Sequence, residues 1–314
     1  MLFTPSPATH ATGLAVGIST PLILGSGIHL LDVWEPNEAL RRIEKFKTTV
    51  SIGATPFLQM ALDAIKAGAR QDVSSMRLWG SAGAPIPETL LQEWKSTISA
   101  CLLLPVYGSS EGLLVTAVRT DDPIEKVLSS DGRAFEGVNL EIRDEEGSVV
   151  QAGEEGQIFY GGPGIFLGYW RDPERTAASV DERGFLASGD LGRVDEDGYL
   201  RVTGRIKDLI IRGGMNISAR EVEEHLLAHP RIIAAAAVSM PDPKLGEKVC
   251  AFIVADGDAP TLDELADFLR NERKAMMQKI PEKVIVVNEL PTTATGKIQK
   301  FLLRQEAATL TSDN

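Results

Sequence analysis

Helices and short apolar strands alternate over residues 36–112, and this alternation limits the fold more than any other feature of the sequence. An amphipathic helix, NEALRRIEKF, for which Asn37 is the expected cap, precedes the apolar strand TTVSIGA and the helix PFLQMALDAIKAG. Two further apolar segments, MRLWGSAGAPI and CLLLPVYGSSEG, each run into a Gly- or Ser-rich turn. The pattern predicts an α/β layer with a mostly parallel sheet. Because ligands collect at the carboxyl edge of such sheets, the two turns are the first site candidates.

The pattern of residue types in the sequence changes after residue 131. Short β-prone segments separated by Asp-, Glu- and Gly-rich turns fill residues 132–204, and strands alternate with helices again towards the C terminus. The length of 314 residues is enough for two domains. We predict a large domain over 1–204, with an α/β part at 1–131 and a β-rich part at 132–204. A small α+β domain is predicted over 205–314.

Charge and hydropathy exclude some classes of function. The net charge is −12, so a nucleic-acid partner, which needs a basic footprint, is not expected. The apolar stretch 13–34 contains polar, Gly and Pro residues, so it predicts buried helix, turn and strand rather than a membrane span. Cys101 and Cys250 match no metal or redox spacing. No basic segment precedes an apolar stretch after Met1, so a secretory signal is not expected. We expect reduced thiols in a cytoplasmic protein.

The pentapeptide from Gly108 to Gly112 matches G-x-S-x-G, the nucleophile elbow of serine hydrolases. In that interpretation Ser110 is the nucleophile and His225 or His229 is the base. An elbow must lead into a helix, however, and the following LLVTAV is β-prone. His225 also belongs to an amphipathic helix, where histidines are usually solvated or packed.

Several strings occur together in a fixed order: YGSSEG, SGDLG, GRIKDLIIRGGMNISAREVE and PTTATGKIQK, with GSAGAPI upstream. Together they resemble the adenylate-forming superfamily, which includes acyl- and aryl-CoA synthetases, luciferases and peptide-synthetase adenylation domains. The resemblance spans almost the whole chain, and THATGL with GGMNISAREVE is most similar to the CoA ligases. It implies a large α/β domain with a β-rich subdomain, followed by a small hinged α+β domain.

The resemblance also implies an acid–thiol ligase that works in two half-reactions. A carboxylate attacks the α-phosphate of ATP to give an acyl-adenylate and pyrophosphate, and the thiol of CoA then displaces AMP. ATP or AMP and Mg²⁺ are the implied cofactors, with CoA as co-substrate and a small carboxylic acid as partner. Small, cyclic and aromatic acids all remain open.

For the nucleotide, the resemblance implies roles for residues in the YGSSEG turn. Tyr107 would stack on adenine beside Gly108, Ser110 would offer its hydroxyl to the α-phosphate, and Glu111 would hold Mg²⁺. The alternatives are that Tyr107 is a core aromatic residue at a strand end and that Glu111 is simply solvated.

Two further residues would contact the sugar. Asp190 would bind both ribose hydroxyls, and Arg205 would be a second contact. The alternative is that each is an ordinary turn or salt-bridge residue.

Residues of the small domain would change places between the half-reactions. Lys207 would be the hinge, and Lys297 would reach the carboxylate and the α-phosphate in the first state. In the second state Gly213 and Gly214 would line the thiol tunnel, where a missing side chain permits close backbone approach. The alternative for these glycines is a plain turn.

The acyl pocket is implied less specifically. His10 would lie near the carboxylate of the acid, and Gly80 and Ala82 would form part of the wall. Upstream of THATGL the family has a loop ending in a Lys that clamps the β- and γ-phosphates, and this chain begins after it. We therefore expect a fragment, a mis-started gene model or a natural half-protein, with a homo-oligomer or a missing N-terminal part as partner. The alternative functions are a non-catalytic nucleotide- or acyl-adenylate-binding subunit and the serine hydrolase.

Overall fold

A computed structural model describes residues 1–83, 86–293 and 296–310. The chain forms two compact units, Met1–Ser188 with Gly192–Val202 and Gly189–Leu191 with Thr203–Asn314. The domain boundary after residue 204 stays a prediction. Two residues of GSAGAPI, at 84–85, and two of PTTATGK, at 294–295, lie outside the described residues.

The first unit contains a seven-stranded sheet with the strand order β2-β1-β3-β4-β5-β6-β7. The first five of these strands along that order are parallel, and β6 and β7 continue the sheet in antiparallel pairing. The strands are β1 Leu2–Thr4, β2 Ile28–Leu30, β3 Val50–Ala54, β4 Leu78–Ala82, β5 Leu102–Ser109, β6 Leu113–Ala117 and β7 Arg133–Ala134. The predicted α/β layer with a mostly parallel sheet is present.

Helices connect these strands, and the three longest of them bury their apolar faces. They are α1 Ala11–Leu14, a π-helical turn Ala15–Ser19, α2 Thr20–Leu24, α3 Pro36–Phe46, α4 Thr55–Lys66, α5 Glu88–Thr97 and α6 Ile124–Ser129. Leu40 of α3, Leu58 of α4 and Trp94 of α5 pack in one core with Phe3 and Trp79 of the sheet. Burial of this apolar surface is the main stabilising contribution in this layer.

Two expectations about this unit are wrong. The N-cap of α3 is Glu35, whose side chain accepts from the backbone N–H groups of Asn37 and Glu38. Asn37 is displaced because Pro36, with its fixed φ, takes the first helical position. Stretch 13–34 is not buried throughout, since Leu22 is 77% and Ile23 81% exposed on α2.

A second sheet has four strands in the order β11-β10-β9-β8. These strands are β8 Asn139–Arg143, β9 Gly156–Gly161, β10 Leu186–Val194 and β11 Leu200–Arg205, and one helix, α7 Pro173–Ser179, lies between β9 and β10. Tyr160, Ile158 and Leu200 are buried in its core together with Tyr107 of β5. This core therefore joins the second sheet to the end of β5.

The second unit is an α+β layer. Its sheet has the order β13-β12-β15-β14, and a further strand, β16, pairs with β15. A 3₁₀ turn, Ile206–Asp208, comes first, and the other elements are β12 Leu209–Arg212, β13 Met215–Ser218, α8 Ala219–Leu227, β14 Ile232–Asp242, β15 Gly246–Ala255, α9 Leu262–Asn271, a 3₁₀ turn Met277–Lys279, β16 Lys283–Val286 and α10 Lys300–Thr309. Helices α8 and α9 share one core with this sheet, and α10 packs in another.

No helix within residues 1–83, 86–293 and 296–310 has the length and apolar character needed to cross a membrane. The same residues contain no group of three or more His, Cys, Asp or Glu side chains placed to hold a metal ion.

Candidate functional site

The carboxyl ends of the parallel strands bring several of the predicted residues to one edge of the first sheet. Gly80 and Ala82 lie in the last three residues of β4, and Tyr107 and Gly108 lie in the last three of β5. Strands β4 and β5 are neighbours in parallel pairing. The edge where the sequence predicted a site therefore carries the two Gly- or Ser-rich turns side by side.

The turn after β5 is built by its glycines. A Cβ at Gly108 would lie 1.7 Å from the carbonyl oxygen of Leu113, and one at Gly112 would lie 2.3 Å from Cε2 of Tyr160. Leu113 itself has a positive φ of 52°. The turn leads into strand β6 and not into a helix. A nucleophile elbow at Ser110 is therefore wrong, since its geometry requires the helix.

Ser109, which the sequence did not single out, is the centre of the hydrogen bonding in this turn. Its Oγ accepts from the backbone N–H groups of Glu111 at 3.0 Å and Gly112 at 3.1 Å. It also accepts from Tyr160 Oη at 2.8 Å. Its neighbour Ser110 is exposed. The hydroxyl of Ser109 thus fixes the turn, and that of Ser110 faces outward.

Glu111 is held in place from a distant part of the sequence. Tyr169 Oη donates to Glu111 Oε1 at 2.9 Å, and the Glu111 carbonyl accepts from the backbone N–H of Phe166 at 2.7 Å. Burial by itself raises the pKa of Glu111, but hydrogen bonds from Tyr169, its own backbone and Ser109, with the charge of Arg175, outweigh it and lower the pKa overall. Glu111 is therefore an oriented carboxylate.

Arg175 completes this arrangement. Its guanidinium lies 4.0 Å from the ring centroid of Tyr169, within cation–π range. The Tyr169 backbone N–H donates to Thr176 Oγ1 at 2.9 Å, so helix α7 fixes the position of the tyrosine.

Tyr107 and His10 both have local structural roles. Tyr107 is only 9% exposed, and its ring meets Tyr160 edge to face at 6.4 Å. This burial favours the core alternative for Tyr107, and stacking on adenine stays a prediction. His10 is the N-cap of α1, where its Nδ1 accepts from Thr12 N at 3.2 Å. The other ring nitrogen, Nε2, consequently carries the proton.

Asp190 and Arg205 form an ion pair within the second unit. Arg205 Nε donates to Asp190 Oδ1 at 2.7 Å, and the Asp190 residue is 6% exposed. Asp190 lies in the middle of β10 and Arg205 ends β11. Asp190 and Arg205 are therefore salt-bridge partners, as the alternative interpretation of the sequence expected. Ribose binding by these residues stays a prediction.

The residues predicted for the hinge and the catalytic lysine lie in short loops of the second unit. Lys207 is exposed in the 3₁₀ turn Ile206–Asp208. Lys297 is half-buried, and its carbonyl accepts from Thr293 N at 2.9 Å while its N–H donates to Thr293 Oγ1 at 3.2 Å. Gly296 precedes it with a φ of 78°.

Gly213 and Gly214 join β12 to β13 in a two-residue hairpin. Their φ values are 58° and 83°, the left-handed conformation that glycine adopts without strain. A Cβ at Gly214 would meet no atom of the described chain within 4 Å. The two glycines therefore form a turn, as the alternative interpretation expected. Their role in lining a tunnel for the thiol stays a prediction.

The donor set around Glu111 fits the Mg²⁺ implied by the resemblance. The Glu111 carboxylate is oriented by Tyr169, and its pKa is lowered. Mg²⁺ characteristically uses one or two protein carboxylates and completes its shell with water and phosphate oxygens.

The comparisons with known proteins agree with this fold. The sequence matches the AMP-binding enzyme family over residues 1–170 and the AMP-binding enzyme C-terminal domain over residues 221–297. A medium-chain fatty-acid–CoA ligase of Escherichia coli strain K12 is 40% identical over 304 residues, 96% of this chain and 53% of that protein. A 2,3-dihydroxybenzoate–AMP ligase of Bacillus subtilis strain 168 is 38% identical over 290 residues, 92% of this chain and 53% of that protein.

A solved structure, ATP-bound MatB from Rhodopseudomonas palustris, matches with a TM-score of 0.90 at 30% identity, covering 98% of this chain and 60% of that one. The chain therefore belongs to the AMP-binding enzyme family, which confirms the resemblance and the fold class predicted from its motifs. It spans about half the length of the curated relatives it matches.

Sequence reasoning missed the residues that hold Glu111. Tyr160 and Tyr169 follow Ser109 and Glu111 by 51 and 58 positions, and no local pattern connects residues so far apart. The one local signal was Ser109 itself, a short hydroxyl residue two positions before the N–H that it accepts from, as in common serine turns.

Proposed function

We propose that this chain carries the adenylate-binding site of an AMP-forming carboxylate–CoA ligase. The proposed reaction joins a small carboxylic acid to CoA with ATP as energy source, through an acyl-adenylate. The observation that carries the proposal is Glu111, an oriented carboxylate at the carboxyl edge of a parallel sheet, in a chain that belongs to the AMP-binding enzyme family.

The turn after β5 supplies contacts for the phosphates. Glu111 would hold Mg²⁺, which when bound neutralises phosphate charge. Ser110, exposed beside it, would donate its hydroxyl to the α-phosphate. Gly108, which packs closely against the Leu113 carbonyl, would contact the nucleotide through its backbone next to Tyr107. Ser109 keeps the turn fixed, so little reorganisation is needed when the nucleotide binds.

Residues of the second unit would supply further contacts, to the ribose in both half-reactions and to the reacting groups in one half-reaction each. Asp190 uses Oδ1 for Arg205, and a carboxylate can accept further hydrogen bonds, here from ribose hydroxyls. Lys297 would stabilise negative charge as the carboxylate attacks, and rotation at Lys207 would withdraw it before CoA attacks. Gly213 and Gly214 would then flank the thiol.

The identity of the acid depends on the pocket near His10, Gly80 and Ala82. Nε2–H of His10 would donate to the substrate carboxylate. The relatives are named for a medium-chain fatty acid and for 2,3-dihydroxybenzoate, so aliphatic and aromatic acids are the two classes to compare.

We place the proposed reaction in the cytoplasm. Cys101 and Cys250 are free and buried, and burial raises the pKa of each thiol to about 12. Such thiols are unreactive, and neither has a role in the proposed chemistry.

The test separates the two half-reactions in the purified chain. ATP–pyrophosphate exchange over a panel of aliphatic and aromatic acids measures adenylation, and mass spectrometry of acyl-CoA formed from supplied acyl-adenylate and CoA measures thioester formation. Acyl-CoA production supports the ligase. Binding of acyl-adenylate without either reaction supports the non-catalytic binding subunit, and an absence of binding contradicts both.

A further inference from the structure

Helix α10 carries two cations on one face, each paired with an acid of a different element. Lys300 and Arg304 are four residues apart, so their side chains lie next to each other along the helix. Lys300 Nζ lies 2.6 Å from Glu223 Oε1 of α8, and the Arg304 guanidinium pairs with Asp208 in the 3₁₀ turn Ile206–Asp208. All four residues belong to the second unit.

Arg304 also contacts the backbone of the turn that contains Lys207. Its Nη2 donates to the carbonyl oxygen of Lys207 at 3.1 Å. A carbonyl oxygen changes direction when the ψ angle of its own residue changes, so rotation at Lys207 must break or weaken this bond. Arg304 therefore opposes rotation at this position.

The other end of the arrangement is anchored in the fold. Glu223 Oε1 accepts from the backbone N–H of Ala237 at 2.7 Å in addition to its contact with Lys300. Leu303 and Ala307 of α10 are buried in a core with β14 and β15. These contacts fix α10 to the sheet and to α8, so the backbone at Arg304 is held in place.

Lys297 is attached to the same helix. Only two residues separate it from Lys300, and Gln299 N donates to Pro291 O at 2.8 Å, which closes the loop at the start of α10. A movement of α10 would therefore also move the loop that carries Lys297, because the segment between them is short and is closed by this hydrogen bond.

We propose that Arg304 is a positioning residue that couples the turn at Lys207 to the loop that carries Lys297. By binding the Lys207 carbonyl and the Asp208 carboxylate, it fixes the conformation of the turn and links that conformation to α10. The coupling rests on the proposed function, since the position of Lys297 matters for catalysis only if this lysine acts on the adenylate.

Hydrogen exchange measured residue by residue on the full chain tests the coupling. Arg304→Gln removes the charge. Arg270→Gln is the matched control, because Arg270 pairs, among the residues that the structure describes, only with its neighbour Asp267 on the surface of α9. We expect Arg304→Gln to accelerate exchange about tenfold at Leu209 N, which bonds to Ile206 O, and also at Gln299 N. Arg304→Lys, which keeps a charged donor, should restore part of the protection.

One outcome supports the coupling, and three contradict it. Faster exchange at both amides, with β14 and β15 unchanged, is the expected result. Faster exchange at Leu209 alone, no change at either amide, or a uniform increase throughout the second unit would each overturn the coupling. Because exchange needs no turnover, failure of the coupling is distinguishable from failure of the proposed ligase reaction.

Discussion

At the scale of single residues, the structure separates two adjacent serines that the sequence treats as one motif. Ser109 accepts two hydrogen bonds from backbone N–H groups of the turn and one from Tyr160, and Ser110 is exposed. We expect Ser109→Ala to lower the free energy of unfolding by about 1–3 kcal/mol, because three donors lose their acceptor. Ser110→Ala should change it by less than about 0.5 kcal/mol.

All four tryptophans lie in the first unit, at positions 34, 79, 94 and 170. Urea unfolding followed by tryptophan fluorescence therefore measures the stability of that unit. Equal effects of the two serine substitutions would show that the hydrogen bonds of Ser109 do not stabilise the turn.

Lys297 is the residue whose proposed role is confined to one half-reaction. In a preparation that catalyses adenylation, Lys297→Ala should slow that step by roughly 10²- to 10³-fold, the usual loss for one preorganised electrostatic group. Thioester formation from supplied acyl-adenylate should continue, because Lys297 would have moved away. Lys283→Ala, an exposed lysine on β16, is the control, and equal losses in both half-reactions would argue against a hinge at Lys207.

At the scale of elements, α8 is joined to the 3₁₀ turn Met277–Lys279 by an ion pair that depends on pH. Lys279 Nζ contacts both carboxylate oxygens of Glu221, at 2.6 and 2.8 Å. The pKa of Glu221 is lowered to about 2, because the contact with His225 and the hydrogen bond and charge of Lys279 together outweigh the opposing effect of burial.

Because the folded state holds the pKa of Glu221 below its unfolded value near 4.5, the stabilisation is present above pH 4.5. It is lost as the pH falls towards 2. The difference in Tm between wild type and Glu221→Gln, measured by calorimetry, should therefore shrink from pH 5 to pH 3. A constant difference would mean that the Glu221 carboxylate does not stabilise the fold.

Elements were predictable where the sequence pattern is local. The helices over residues 36–66 and the strand–turn pairs at β4 and β5 follow from apolar periodicity and turn residues. The amphipathic pattern TLDELADFLRNERKAM predicts one helix over 261–276. Helix α9 ends at Asn271 instead, because Lys274 takes a positive φ of 54° and Ala275 N bonds back to Leu269 O. No glycine marks this helix end, so the usual sequence signal was missing.

At the scale of the whole molecule, the order of the motifs predicted the family, and the fold class followed from it. The site was predictable only in part. Glu111, Asp190 and Arg205 are named by their motifs, but Tyr169, which orients Glu111, lies 58 positions further along the chain and is brought near by the fold. A motif reports which residue types recur, whereas long-range hydrogen bonds depend on the tertiary arrangement.

The central claim is that this chain binds an acyl-adenylate, and calorimetric titration with a non-hydrolysable analogue, in which a sulfamate replaces the phosphate, tests it most directly. We predict saturable binding of one analogue per chain, weakened at least tenfold in Asp190→Asn because charged hydrogen bonds to the ribose are lost. Arg270→Gln should bind as the wild type does. No binding by the folded wild-type chain, or equal binding by Asp190→Asn, would contradict the account.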